Sequence, residues 1–338
     1  MLPSLRYAAL SSTRLYSTPV SKPSIKLLAE LRKLTEVSIS KAREALSATN
    51  NDLDASLEWL QKDLIATGAK KAAKIHDRVA GQGVICTSIL SNGVGSTTGS
   101  VRAAMIELNC ETDFVARNEH FERLAADIAH TAAYISEKGA PGTTLNACPL
   151  DSLNNAPLIS QNKIPTETVE DSIRHLIAKI GEKICLRRAI TVVENASRPP
   201  SEVGLRVAAY VHGSVNNPSQ GRIGSLALLA LKSPNVSALI KSDPFRDNLG
   251  RLERSLARQI VGFDTKLITA SAGDETALYN QPFAMLAGDL NGRPVQAVLQ
   301  AWSEQNGLVE GGNEDGGIAV LDFAKWTVGE AIEDRQSI

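Results

Sequence analysis

The amino-acid sequence predicts an α+β fold, in which a small N-terminal bundle of three helices precedes a core of antiparallel sheets with flanking helices. Three observations predict this architecture. Apolar residues recur at intervals of three and four before residue 68, as in amphipathic helices, and the period changes to two after Gly83, as in strands. The predicted strands follow one another across short turns without strict alternation with helices, which favours antiparallel sheets over a doubly wound fold.

Residues 1–20 are expected to be a mitochondrial transit peptide. Two arginines are their only charged side chains, and the first acidic residue of the chain is Glu30. Basic, hydroxyl-rich and acid-free segments are typical of transit peptides, whereas a secretory signal needs a continuous apolar centre. The run Arg14-Leu15-Tyr16 also resembles a mitochondrial processing site. A merely disordered N-terminus is the alternative.

The predicted helical bundle occupies residues 24–68. Three apolar stripes lie at helical spacing and contain Leu27, Leu28, Leu31 and Leu34, then Ala42, Ala45 and Leu46, then Leu53, Leu57 and Leu60. Ser38 or Ser40 is placed to cap the second helix. Gly68 follows the third stripe, and a basic linker with three lysines is predicted at 69–83. This linker is either a solvated helix or a contact for phosphate, and its charge pattern favours the helix.

Two core subdomains are predicted, at 84–165 and 166–335. Alternating apolar residues predict strands at 84–90, 101–110, 183–193, 203–211, 223–231 and 317–326. Helical stripes predict helices that begin after Asn118, end at Gly181, and occupy 248–261 and 294–305. Residues 139–165 are rich in proline, glycine and asparagine and show no period, so a long loop or a mobile linker is expected there.

The composition excludes several classes of protein. Of the 338 residues, 43% are apolar and 22% are charged, which is typical of a globular protein. The net charge of -1 and the aromatic content of 4% argue against a nucleic-acid-binding surface. No apolar stretch of about 18 residues occurs, so no membrane span is expected. The four cysteines lack metal-ligand spacing and are expected to be free thiols.

Motifs of catalysis and nucleotide binding are absent from the sequence. The chain contains no GxxxxGK[ST] loop, no HExxH and no GxSxG, and its five histidines are scattered. Covalent catalysis, metal chemistry and direct nucleotide binding therefore have no support in the sequence. We expect a protein that is not an enzyme and that uses neither a metal nor a cofactor.

One segment has a composition that is unusual for a connection with only a structural role. Residues 108–118, LNCETDFVARN, place an acid next to a large aromatic residue between a predicted strand and a predicted helix. In a strand, Asp113 and Phe114 would face opposite sides, whereas in a tight strand-to-helix turn both project outward. From these residues alone, the simpler interpretation makes Phe114 a core residue and Asp113 a turn former.

The same segment closely resembles the motif of the elongation factor Ts family, and the resemblance extends in order over most of the chain. Residues 24–68 resemble the family's ubiquitin-associated-like domain, including Ala45-Leu46 and Trp59-Leu60. Further matching runs are GAKKAAK at 68–74, AKIGEKICLRR at 178–188, His212-Gly213, Arg222-Ile223-Gly224, Gln281-Pro282-Phe283 and Val328-Gly329-Glu330.

The resemblance implies a nucleotide exchange factor of translation elongation that acts on elongation factor Tu in the mitochondrial matrix. In this family the Asp-Phe pair is inserted into the partner's G domain, near the Mg²⁺ ion and the β-phosphate of the bound nucleotide. Phe114 would be the apolar wedge, with Asp113, Thr112 and Val115 in the same contact. No bond is made or broken, so the implied protein is not an enzyme.

Other contacts implied by the resemblance lie elsewhere in the chain. Ile180 and Gly181 match a helix end that touches the same G domain. His212 and Gly213 match a position near that interface, although a simple cap on a hairpin is an equal alternative for His212. Exposed residues between the first two helices would dock the N-terminal domain, namely Val37 and Ile39.

Two departures from the family pattern affect these expectations. Members commonly carry Thr-Gly where this chain has Thr35-Glu36, and the loss of a glycine that eases the turn bears on how the first domain docks. Bacterial members carry a long helical hairpin for dimer contacts, but too few residues separate Phe263 from Gln281 to form one here. We therefore expect a one-to-one complex with mitochondrial elongation factor Tu. Residues 213–222 are longer than in bacterial relatives.

Two other functions agree with parts of the sequence. A binding adaptor would act through residues 24–68 alone and would not depend on Phe114. An RNA-binding protein would act through the basic residues Lys70, Lys71, Lys74 and Arg78 and would show strongly salt-dependent affinity. The near-neutral net charge and the low aromatic content argue against the second function.

Overall fold

The computed structural model describes residues 22–35, 37–160, 167–196, 202–214, 216–309 and 316–332. The predicted transit peptide at 1–20 and Glu36, where the family commonly has glycine, lie outside the described residues. The chain divides into two compact units, Met1–Thr67 and Gly68–Ile338.

Helices and strands alternate irregularly along the chain. Within the described residues, the α-helices are α1 (Ile25–Thr35), α2 (Ile39–Ala48), α3 (Leu53–Ile75), α4 (Asp113–Ala116), α5 (Glu119–Ile135), α6 (Leu150–Asn155), α7 (Val169–Ile180), α8 (Val236–Leu239), α9 (Asp243–Gly262) and α10 (Val295–Gln305). The strands are β1 (Gln82–Asn92), β2 (Val101–Cys110), β3 (Asn146–Ala147), β4 (Cys185–Glu194), β5 (Val203–His212), β6 (Gln220–Gly221), β7 (Ile223–Lys232) and β8 (Gly317–Thr327). Every pairing between these strands is antiparallel, and the predicted α+β class is confirmed.

The first unit is a helical bundle of α1, α2 and the beginning of α3. Ser38 caps α2, because its hydroxyl oxygen accepts a hydrogen bond from the N–H of Lys41 at 3.2 Å. Asn50 and Asn51 adopt left-handed conformations that make the turn into α3. The small core consists of side chains from the predicted stripes, with Leu31, Ala42, Ala45, Leu46 and Leu60 buried.

Gly68 does not end α3, which continues to Ile75, so the first part of the predicted linker is helical. Residues 69–74, AKKAAK, are strong helix formers that outweigh a single glycine. The glycine serves packing instead, since a Cβ atom there would lie 2.6 Å from the carbonyl oxygen of Arg174. Lys71 donates from Nζ to the carbonyl oxygen of Ala178 at 2.6 Å, which engages one linker lysine at the end of α7.

The larger sheet of the second unit has the strand order β3-β4-β2-β1-β6. Helices α5 and α7 pack on one face of it, over an apolar core that includes Ile106, Leu108, Phe121, Ile128 and Ile177. Because β2 is the central strand and ends at Cys110, the chain leaves the middle of the sheet directly into α4. The fold thus places the LNCETDFVARN segment at one end of a rigid sheet.

The three-stranded sheet β5-β7-β8 shares a core with the larger sheet. This shared core contains Ile85, Met105, Val207, Leu226 and Leu228. Gly224 permits the close approach, since a Cβ atom there would lie 2.5 Å from Cγ2 of Ile85. Helices α9 and α10 cover the three-stranded sheet through a separate core that includes Leu252, Leu256, Phe283 and Val298.

Residues 139–165 are not the featureless loop that the sequence predicts. Strand β3 pairs with β4, and α6 buries Leu153 completely. A strand of two residues and a helix of six residues with one buried leucine are too short to produce a recognisable period. Residues 161–166 of this segment lie outside the described residues.

A cluster of buried charged side chains binds residues 328–330 to the larger sheet. The carboxylate of Glu107 is fully buried and accepts hydrogen bonds from Arg187 Nη1 at 3.1 Å, from Arg188 Nε at 2.6 Å and from the N–H of Gly329 at 2.8 Å. Arg188 also pairs with Glu330 at 2.8 Å. Two arginines are thus paired with two carboxylates, and the run Val328-Gly329-Glu330 thereby has a structural role.

Candidate functional site

The LNCETDFVARN segment folds as the end of a strand followed by a single helical turn. Thr112 is extended and caps α4, since its hydroxyl oxygen accepts a hydrogen bond from the N–H of Val115 at 3.4 Å. Val115 and Ala116 are buried in the core beneath α5 and the larger sheet. These three residues fix which side of the turn faces inward.

Phe114 points outward from this turn and is 82% exposed. The interpretation that makes Phe114 a core residue is therefore wrong. Successive residues of a helical turn project about 100° apart, so the burial of Val115 and Ala116 leaves Asp113 and Phe114 on the outer side. The other five phenylalanines all lie within the described residues, and each is buried or half-buried. The turn thus exposes an aromatic ring of a type that the fold otherwise buries.

The flanking contact residues have different surroundings from Phe114. Val115, which was expected to share the partner contact, supports the turn from below with its side chain in the core. Asp113 is half-buried, and its carboxylate lies 3.3 Å from Nη2 of Arg117, one helical turn further on. Asp113 and Phe114 are therefore the two side chains that the turn presents to solvent.

The predicted contact at Ile180 and Gly181 is joined to this turn by hydrogen bonds. Gly181 ends α7 in a left-handed conformation, with φ of 86°, which favours glycine. Ile180 is half-buried against the core. Glu182 comes next, and its carboxylate accepts hydrogen bonds from the N–H of Thr112 at 3.0 Å and from the hydroxyl of Thr112 at 2.7 Å. Two predicted contact segments thus lie side by side.

A reciprocal bond joins the same two segments. The carboxylate of Glu111 accepts a hydrogen bond from the N–H of Lys183 at 2.6 Å and lies 3.3 Å from Nη1 of Arg78. The sequence reasoning missed both Glu111 and Glu182. Their position in the sequence could have indicated this role. Each is an acidic residue in a turn beside a predicted contact residue, and the backbone N–H groups of such turns need acceptors.

The predicted contact at His212 and Gly213 lies at the end of β5, in the three-stranded sheet. Both residues are exposed, and Gly213 has φ of 81°. The carbonyl oxygen of His212 accepts a hydrogen bond from the N–H of Arg222 at 2.8 Å. The backbone therefore closes this hairpin, and the imidazole of His212 faces solvent.

The predicted contact residues of the first unit flank the start of α2. Ile39, the first residue of that helix, is about half exposed, and Val37 is half-buried against the small core. The carbonyl oxygen of Val37 accepts a hydrogen bond from Nε of Arg32 at 3.3 Å. Ile39 gives the first unit an exposed apolar side chain of its own.

Several other chemistries find no support among the described residues. No group of three or more His, Cys, Asp or Glu side chains in these ranges is placed to hold a metal ion. Burial raises the pKa of the Cys86 and Cys110 thiols to about 12, so neither supplies a thiolate near neutral pH. No helix of the described chain combines the length and the apolar character needed to cross a membrane.

Known proteins resemble this chain along nearly its whole length. A family model described as Elongation factor TS matches residues 111–298. A protein of Laccaria bicolor named "Elongation factor Ts, mitochondrial" is 57% identical over 334 residues, which cover 97% of this chain and 98% of that protein. The chain belongs to the elongation factor Ts family. A protein of Coprinopsis cinerea with the same name is 54% identical and covers 95% of this chain.

The family membership confirms the resemblance that the motifs indicate. The matched range begins at Glu111, the first residue of the strand-to-helix turn. It includes Phe114, the corner at Gly181 and the hairpin at His212-Gly213. All three predicted contacts of the second unit therefore lie within the range that the family model matches.

Proposed function

We propose that this chain promotes release of GDP from mitochondrial elongation factor Tu by inserting the Asp113-Phe114 turn into the G domain of that partner. Membership of the elongation factor Ts family implies nucleotide exchange on elongation factor Tu during translation elongation. The two relatives described above are named mitochondrial, and the chain acts in that organelle, in its matrix. It makes and breaks no covalent bond in this role.

The exposure of Phe114 is the observation that carries the proposal. Burying a phenylalanine side chain stabilises a protein or a complex by about 1.5–3 kcal/mol. Phe114 does not contribute this free energy to the folding of the chain, because its ring stays exposed. The free energy becomes available when a partner buries the ring. Because Thr112, Val115 and Ala116 already fix the turn, insertion of the ring loses little conformational entropy.

Differential binding connects the insertion to GDP release. A ring that fits only a distorted G domain shifts the partner toward that state, which holds Mg²⁺ and the phosphates poorly. Weakening nucleotide binding a thousandfold requires a coupling free energy of about 4 kcal/mol. Because coupling is reciprocal, nucleotide weakens the binding of this chain by the same factor, and GTP thereby displaces it.

Three further contacts complete the proposed interface. Ile180 and Gly181 touch the same G domain as Phe114, because Glu182 holds their corner against Thr112. The exposed hairpin at His212 and Gly213 adds a polar contact. The first unit docks separately through the residues that flank the start of α2, Val37 and Ile39.

The complex is one-to-one in this proposal. Bacterial members use a long helical hairpin for dimer contacts, and the corresponding stretch here lies between α9 and a short 3-10 helix at Leu278–Asn280. Residues 263–277 of that stretch form turns and one isolated bridge between Leu267 and Ala277. This described stretch therefore provides no helical arm for a second copy of the complex.

Release of a fluorescent GDP analogue from mitochondrial elongation factor Tu tests the proposal. The full chain should accelerate release, and Phe114→Ala should lower the accelerated rate about 30-fold, since truncating a central apolar anchor costs about 2 kcal/mol. Tyr134→Ala is the matched control, because Tyr134 on α5 is an aromatic side chain that is 61% exposed. It should leave the rate unchanged.

Both variants should match the stability of the parent chain within about 0.5 kcal/mol, because each truncates an exposed side chain. Unchanged acceleration by folded Phe114→Ala would move the mechanism to the contacts at Ile180 and His212. No acceleration by the parent chain at saturation would overturn the exchange function and favour the adaptor.

A further inference from the structure

The helical turn that carries Phe114 is too short to hold itself in place. Helix α4 has four residues, and its cap is a single long hydrogen bond of 3.4 Å from the N–H of Val115 to Thr112. A helix of one turn is unstable in isolation, because nucleation fixes several residues for one hydrogen bond. The orientation of the aromatic ring therefore depends on contacts from outside α4.

Glu182 supplies two of these outside contacts. Its Oε2 atom accepts the N–H of Thr112 at 3.0 Å, and its Oε1 atom accepts the hydroxyl of the same residue at 2.7 Å. Hydrogen bonds to a carboxylate are shorter and stronger than those between neutral groups. Because the hydroxyl hydrogen points at Glu182, a lone pair of the same oxygen faces the N–H of Val115. One carboxylate thus fixes both the entry to α4 and its cap.

The second segment is bound in return. Glu111 accepts the N–H of Lys183 at 2.6 Å, so each segment contributes one carboxylate to a backbone N–H of the other. Lys183 also donates from Nζ to the carbonyl oxygen of His76 at 2.6 Å. These bonds from two sides prevent the segments at 111–112 and 182–183 from sliding past each other.

We infer that Glu182 is a positioning residue, which holds the turn in the orientation that lets Phe114 enter the partner; this inference rests on the proposed insertion of Phe114. Glu182 is half-buried, and Thr112 occupies both of its carboxylate oxygens. In this role, its effect on exchange passes through Phe114 rather than through a contact of its own.

A double-mutant cycle on nucleotide release tests this role in the full chain. Glu182→Ala removes both hydrogen bonds and should lower the accelerated rate about tenfold, while Glu182→Gln keeps one acceptor at the same length and should lower it about threefold. In a chain that already carries Phe114→Ala, Glu182→Ala should cause no further loss, because the two residues act as one unit.

Hydrogen exchange separates positioning from loss of the fold. In Glu182→Ala, the peptide that covers residues 111–118 should exchange about tenfold faster, while peptides from β2 and α5 keep the parent rate. Glu167→Gln is the matched control, because Glu167 is a half-buried carboxylate near the opposite end of α7, paired with His175 at 2.6 Å. It should change neither measurement at neutral pH.

Each other outcome has a distinct meaning. An equal loss from Glu182→Ala in both backgrounds would show that Glu182 touches the partner directly, which overturns the positioning role. Full exchange by Glu182→Ala, with Phe114→Ala impaired, would overturn that role and leave the proposed function intact. Full exchange by Phe114→Ala would overturn both the insertion of Phe114 and the positioning role that rests on it, and would move the mechanism to the contacts at Ile180 and His212. If Glu182→Ala does not fold, Glu182→Gln takes its place in the cycle.

Discussion

The turn at Thr112–Ala116 and the hairpin at His212-Gly213 are both exposed, but they are built in different ways. The turn presents an apolar ring on a backbone that is held by the carboxylate of Glu182 from another segment and by buried side chains. The hairpin presents an imidazole and is closed by its own strand pairing and one backbone bond to Arg222. Exposing an apolar ring is useful only if it points at its target, whereas water solvates a polar side chain in any orientation. Exchange should therefore depend more on the support of the turn.

The loop at 213–222, which connects β5 to β7, also links the His212-Gly213 hairpin to the helix that follows the Phe114 turn. Asn216 donates from Nδ2 to the carboxylate of Glu122 on α5 at 3.1 Å, and Gln220 donates from Nε2 to the carbonyl oxygen of Glu122 at 2.6 Å. Helix α5 begins directly after the turn that carries Phe114. Asn216 and Gln220 belong to the long segment at 213–222, which had no role in the sequence interpretation, and they thus bind the helix beside the proposed wedge.

Matched glycine substitutions should produce the largest difference between the two sites. Gly181 and Gly213 have φ of 86° and 81°, and a Cβ atom would meet nothing within 4 Å at the first and nothing closer than 3.5 Å at the second. Alanine should therefore cost about 1–2 kcal/mol of backbone strain at both positions. Gly181→Ala should also lower nucleotide release about fivefold, because it displaces Glu182, whereas Gly213→Ala should lower it less than about twofold.

Thermal unfolding checks that the two substitutions are matched, since equal strain should lower both melting temperatures by a few degrees. The release assay with mitochondrial elongation factor Tu then compares the folded variants. Equal losses of exchange from the two variants would contradict the contrast between a supported turn and a tolerant hairpin.

The helices and strands were predictable because their residues repeat, but the support of the turn was not. Strand β2 matches the predicted 101–110, since alternation along one strand reports which face is buried. Glu182 and Thr112 are 70 residues apart, and no local pattern relates them. The outward direction of Phe114 is also non-local, because it depends on Val115 and Ala116 finding a core that α5 and the sheet assemble.

Short elements escaped prediction for a related reason. Helix α6 buries a single leucine, Leu153, so its residues show no repeat. Gly68 reads as a stop signal in the sequence, yet it marks a close approach to Arg174 within a continuous helix. A glycine selected for lack of space and a glycine selected for its backbone freedom look the same in a single sequence.

Acid should destabilise α7, the helix that ends at Gly181 beside the turn. We expect this loss of stability to be smaller than the loss caused by the glycine substitutions. Burial would raise the pKa of Glu167, but the hydrogen bond and charge of His175 outweigh burial and hold that pKa below the usual 4.5. Because the pKa of this carboxyl group is lower in the folded chain than in the unfolded chain, the group stabilises the fold at pH values above its unfolded-state pKa. This stabilisation is lost as the pH falls through the folded-state pKa. Removing the pair with Glu167→Gln should therefore reduce the loss of stability between about pH 5 and 3, by less than about 1 kcal/mol.

Urea unfolding of the parent chain and of Glu167→Gln at pH 6 and at pH 3.5 measures this difference. The parent should be the more stable at pH 6, and the two chains should converge at the lower pH. Parallel losses in the two chains would show that the Glu167–His175 pair does not contribute to the acid sensitivity of α7.

The smallest expected effect concerns the ion pair on the turn itself. Asp113 and Arg117 are 3.3 Å apart with side chains 48% and 64% exposed, so the pair contributes less than about 1 kcal/mol. Arg117→Ala should leave stability within about 0.5 kcal/mol of the parent. It should raise the rate of nucleotide release by at most about twofold, since Asp113 no longer has to leave Arg117 to meet the partner.

Arg117→Lys, which retains the positive charge, is the control and should keep the parent rate in the release assay. A loss of more than about threefold in Arg117→Ala would mean that the ion pair holds the turn or that Arg117 touches the partner. The support of Phe114 would then include the exposed face of α4, and Glu182 would share the positioning role with a group on the turn. A rate within the expected range would place that support beneath the turn, where Glu182 and Val115 lie, and would leave Asp113 available to the partner.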